Sequence, residues 1–166
     1  MSTPIIARQS NFGTGVVFAL IAGLLVLGFI FYENGVISLP SFLGGVAYKT
    51  IKINNLSLKV HIAKTSEEQL ASLNGVRTIA QDEGMLFVFK TDGIYEISTA
   101  NMLFPVDLMW INNEGTIVDT AANVAPGLRD PVSTQAYARY VLMVNAGTMT
   151  HNDILRQTTV DLPLLP

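Results

Sequence analysis

One carboxylate, Asp107, stands in the otherwise apolar run Val106 to Ile111, directly after Pro105, on the strand face shared by Met109 and Ile111. A charge carried into a sheet must find a partner or be neutralised. Arg139, at the start of the later apolar run Ala138 to Ala146, is the expected cation. Asn145 shares its strand face, opposite Tyr140, Leu142 and Val144, and Asn101 lies just upstream of Pro105. Asn101, Asp107, Arg139 and Asn145 are therefore the ligand-binding candidates, expected to gather as one polar cluster on a rigid sheet. The same cluster also reads as a satisfied structural network. That reading is preferred, because buried polar groups generally have partners of this kind.

Catalytic constellations are weaker. His61 and His151 are the only histidines, and neither sits beside a serine in a motif context that would make a hydrolase triad. His61 alternates with Leu58, Val60 and Ile62 and is expected to point outward. Met149-x-His151, with Met102, Met109 and Met143, offers soft donors of the type Cu(I) takes, but methionine more often fills core gaps. No cysteine is present, which excludes disulfides, thiol nucleophiles and thiolate metal sites. No metal site and no cofactor are expected. A binding or accessory module is favoured; the alternative is an enzyme or small-ligand binder working through Asp107 and Arg139.

The elements that must position these residues begin with a tether. Gly15 to Tyr32 contains no ionisable side chain apart from the terminal tyrosine. As a helix at about 1.5 Å per residue it would be roughly 27 Å long, near the thickness of a bilayer's hydrocarbon core at about 30 Å. The run exceeds a typical signal-peptide core, and the nearest small-x-small site, Gly45-Val46-Ala47, lies well beyond it. We therefore expect a retained single-pass helix over 15–32, a cytoplasmic stub over 1–14, a connecting segment over 33–48 and a globular domain over 49–166. Arg8 precedes the span and no Lys or Arg occurs from Glu33 to Tyr48, which places the domain on the extracytoplasmic side of the cell membrane. Gly15, Ala19 and Gly23 permit close helix approach without specifying an oligomer.

From Lys49 onward there are nine basic and twelve acidic residues, without runs, which argues against nucleic acid as a partner. The expected partners are the bilayer, through the N-terminal helix, and a protein or small ligand for the domain.

Within the domain, Ile51 and Ile53 turn at Asn54-Asn55 into an alternating strand from Leu56 to Ile62. Thr65-Ser66-Glu67-Glu68 has capping-box spacing, Leu70 and Leu73 form a short apolar stripe, and Gly75 marks the stop. Met85 to Phe89 reads as a doubly buried strand, turned back at Thr91-Asp92-Gly93 into Ile94 to Ser98. Val106 to Ile111 returns through Asn112 to Gly115 as Thr116 to Ala122. After a loop come a long strand over Ala138 to Ala146, a helical turn near Met149 to Leu155, and an extended tail over Thr158 to Leu162. The fold class is mainly β (β-rich α+β): a small antiparallel barrel or sandwich with one or two short helices, after a single transmembrane helix.

Three segments carry a resemblance: Asp82 to Phe89; Asn101 to Asp107 leading into Trp110 to Gly115; and Arg139 to Gly147. In this order and spacing the chain resembles the family known as domain of unknown function 192, from about Ile51 to Leu162. The resemblance implies a compact β-rich fold, often exported or lipid-anchored, with no established activity. Three departures stand out. The family's aromatic-Met-Lys-Asn-Thr run appears as Ser98-Thr99-Ala100-Asn101-Met102, its Gly-Leu-Met after the first helix as Ser72-Leu73-Asn74, and the Glu of its last long strand as Met143.

Overall fold

The computed structural model describes residues 48–162. Asn54 adopts a left-handed φ of 53°, which lets the chain reverse between β1 (Tyr48–Ile53) and β2 (Leu56–Ala63). The capping box forms as expected. Thr65 accepts from the Glu68 amide at 3.2 Å, the Glu68 carboxylate accepts from the Thr65 and Lys64 amides, and α1 runs from Ser66 to Ala71. The helix ends at Ser72, before Gly75. Only Leu73 of the expected apolar stripe is buried; Leu70 is largely exposed.

Strand β3 (Glu83–Gly93) pairs with β2 in parallel, so α1 lies in the crossover that a parallel pair requires. The other edge of β3 is taken by β6 (Ala138–Asn145), antiparallel. With both edges occupied, Thr91-Asp92-Gly93 cannot turn β3 into a hairpin. Residues 94–98 accordingly form no strand, and Ile97 makes only an isolated bridge to Val132. β4 (Val106–Ile111) lies between β6 and β5 (Ile117–Val124), and all six of its residues are buried. Helix α2 (Thr148–His151) and β7 (Val160–Asp161) complete the chain. The strand order is β5-β4-β6-β3-β2-β1-β7, all antiparallel except β2 and β3.

The two ends of this order come together. β7 pairs with β1 through Lys52 and Ile53, while the Val160 amide donates to Gly115 O at 2.8 Å and the Ile117 amide to Thr158 O at 2.9 Å. Ile53 from one end and Ile117 from the other belong to a single buried cluster with Leu86, Met109, Leu142 and Val160. The sheet must curl around that cluster, which makes it a half-barrel and excludes a sandwich. Its other face carries a second core, in which Leu73, Ile97, Met102 and Phe104 from the connecting segments cover Met85, Phe87, Leu108, Trp110 and Met143.

Among the described residues no helix is long and apolar enough to cross a membrane. The apolar run 15–32 and the connecting segment up to residue 47 lie outside them.

Candidate ligand cleft

Asp107 is buried and fully engaged, but not by Arg139. Its Oδ1 accepts from the Asn123 amide at 2.8 Å and its Oδ2 from the Met149 amide at 2.9 Å. Gly147, which precedes α2, offers no side chain to cap that helix, so Asp107 performs the capping from a neighbouring strand. Arg139 instead donates to Asp92 at 2.6 Å and to Lys90 O at 3.1 Å. The Asn145 amide donates to Ile79 O and Ala80 O, which pins the segment leading into β3. The expected four-residue cluster therefore does not form. Asp107 is in register with Val144, and Arg139 lies an odd number of residues from Val144, so the two charges project from opposite faces of the sheet.

His61 also differs from expectation. It is buried, with its ring centroid 4.0 Å from that of Tyr48, and its Nδ1 has no hydrogen-bond partner among the described residues. Burial pushes its imidazole below the ordinary histidine range, against a smaller upward pull from Glu83. On the exposed surface the Lys59–Asp82 pair, at 2.8 Å, raises the ammonium and lowers the carboxylate, chiefly through their hydrogen bond.

Asn101 has a different setting. It stands at a cleft of about 550 Å³ between α1, the outer face of β3 and the segment 96–101. Phe87, Phe89 and Ile97 supply apolar lining, and Phe89 is held by stacking on Tyr95 at 3.5 Å with the rings 7° from parallel. Gln69 fixes the α1 wall by donating to Val88 O at 3.2 Å. The other polar groups are Ser66, Ser72, Asn74, Ser98 and Asn101, with Glu96 as a carboxylate; none of the described lining residues is Lys or Arg.

Ser72 is the unusual member. It is only 9% exposed, its Oγ has no hydrogen-bond partner among the described residues, and its backbone has φ 43° and ψ −137°. That conformation suits glycine, and holding another residue there costs about 1–3 kcal/mol. A buried unpaired hydroxyl adds a further penalty of about 1–3 kcal/mol. Apart from Asn101, the cleft was missed in the sequence because its walls come from three separate segments. The one available signal was Ser72, standing where the resembled family has glycine.

A family profile described as Uncharacterized ACR, domain of unknown function 192, matches residues 49–162. The chain belongs to the domain of unknown function 192 family. The match spans every described strand from β2 to β7 and nearly all of β1. Two solved structures share the fold of this family member. One is a protein of Sinorhizobium meliloti 1021 provisionally described as a transcription regulator, with TM-score 0.68 and 24% identity, covering 70% of this chain and 94% of its own. The other is a protein of unknown function from Novosphingobium aromaticivorans DSM 12444, with TM-score 0.69 and 20% identity, covering 73% of this chain and 89% of its own. At these identities the likeness speaks for the fold alone. No curated protein matches the chain.

Proposed function

We propose that this domain of unknown function 192 protein is a membrane-tethered, extracytoplasmic binding module that takes a small ligand in the cleft beside α1. The observation that carries the binding reading is Ser72: a buried, unpaired hydroxyl on a strained backbone, at the edge of a cleft with an apolar lining and a polar rim. Strain and unmet hydrogen-bonding capacity concentrate where a ligand completes the structure. An enzyme built on Asp107 and Arg139 has no such support, since both side chains are committed to separate partners. The tether rests on the apolar run 15–32 and the location on its flanking charges.

Two measurements test this reading. Protease added to intact spheroplasts should digest the domain, and protection would overturn the location. Hydrogen exchange of the full chain should slow over residues 66–74 and 96–101 when a small-molecule extract of the host cell is added, and Asn101→Trp should abolish the slowing. Unchanged exchange in the unsubstituted chain would sink the binding module.

A further inference from the structure

We propose that the ligand of this cleft is an uncharged, hydroxylated ring, a saccharide unit; this rests on the binding-module reading and goes beyond it by naming the ligand class. Charge comes first. The described lining holds one carboxylate, Glu96, and no cation, so phosphorylated or carboxylated ligands would enter without a counter-charge. Hydrogen-bonding capacity comes second. Asn74 spends one amide N–H on Leu70 O at 2.8 Å, which leaves its carbonyl oxygen to accept, while Asn101 is exposed at the cleft and presents its side chain there. An amide presents a donor and an acceptor side by side, the pairing that vicinal hydroxyls offer in return, and a carboxylate accepts from two hydroxyls at once.

Third, Ser72 Oγ is shielded from water and unpaired, so a ligand hydroxyl reaches it only when the cleft edge opens locally, and the bond then made is one for which bulk water does not compete. Finally, Phe89 and Ile97 give the apolar C–H face of a ring a surface to lie on, the mixed lining that small-ligand sites generally have. A cationic amine would pair with Glu96 and donate to the amide carbonyls, but it offers no acceptor to the amide N–H groups or the Ser72 O–H.

The test is saturation-transfer NMR on the full chain in a detergent without a sugar headgroup, using glucose, N-acetylglucosamine, spermidine and inorganic phosphate as probes. A saccharide should bind saturably. Ser72→Gly should weaken it by about tenfold, the loss expected when a ligand hydroxyl loses a shielded partner, and Asn101→Ala, at an exposed position, by a smaller factor. Ser72→Gly relieves the backbone and so cannot lose binding by unfolding. Saturable spermidine binding abolished by Glu96→Gln, with no response from either sugar, would overturn the saccharide and leave the module reading standing. Sugar binding untouched by both substitutions would place the site elsewhere and overturn the proposal. Silence from all four probes would also overturn it; the host-extract exchange experiment then decides whether the module reading falls too.

Discussion

Asp107 and Arg139 stand on opposite faces of the same sheet, each completed by a partner that the other never meets. Asp107 ties the Asn123 and Met149 amides, at the end of β5 and the start of α2, whereas Arg139 closes on Asp92 near the end of β3. With no shared partner, their substitutions should add within about 0.3–0.5 kcal/mol in a double-mutant cycle of Asp107→Ala and Arg139→Met. Denaturant unfolding measures the coupling; a larger interaction energy would mean that the two residues communicate after all.

Asp107→Ala alone leaves the buried Met149 amide without its acceptor, at about 1–3 kcal/mol, and releases the amide of the exposed Asn123 at smaller cost. Asp107→Asn keeps one acceptor oxygen and should lose less. A thermal midpoint for Asp107→Ala equal to that of the unsubstituted chain would contradict the capping role.

Ser72→Gly should stabilise the domain. It removes the positive-φ strain and the unpaired hydroxyl, partly offset by about 0.5–1 kcal/mol of glycine's extra freedom in the unfolded chain, for a net gain of about 1 kcal/mol or more. Chemical denaturation of the two chains without added ligand checks it, and a lower midpoint in the glycine variant would refute it.

The buried His61 predicts a pH dependence. Its folded-state pKa is lowered by burial, so the unfolded chain binds the proton more readily, and stability falls as pH drops below the ordinary histidine value of about 6.5. The lowered carboxylates of Glu68 and Asp82 lose their contributions only at more acidic pH, beneath their ordinary values. Between about pH 7.5 and 5.5, His61→Gln should therefore flatten the decline in thermal midpoint. An equal slope in both chains would remove His61 as its source.

At Gly115, with φ 84°, an added Cβ would stand 2.8 Å from Val160 O. The same residue's carbonyl receives the Val160 amide. Gly115→Ala should destabilise by more than about 1 kcal/mol, through backbone strain and through displacement of β7. Hydrogen exchange at the Val160 amide should rise along with the loss, and retained protection there would show that the closure tolerates the change.

The parts of the fold legible in the sequence were those written locally. The Asn54-Asn55 reversal, the Thr65 capping box and the Asn112 to Gly115 turn each lie within a few residues of the contacts they make. Strand β3 was legible as a strand, but its two neighbours come from distant parts of the chain, so the turn-like Thr91-Asp92-Gly93 misled. Pairing Arg139 with Asp107 failed for a related reason. Alternation along each strand is visible in the residues, but the register that relates the faces of two strands is not. Of the four candidate site residues only Asn101 lines the cleft.

The last strand has a consequence for how the chain reaches its native state. Ile53 pairs with Val160, almost the whole length of the domain apart, and until those final residues are made β1 keeps an unpaired edge. Contacts of such separation form slowly, because a long loop must close before they are gained. During synthesis the domain passes through a stage in which six of its strands exist but β7 does not yet join the edge of β1 to the Gly115 to Ile117 segment. A chain stopped before Thr159 should be held there, exposed to edge-to-edge association with its own copies.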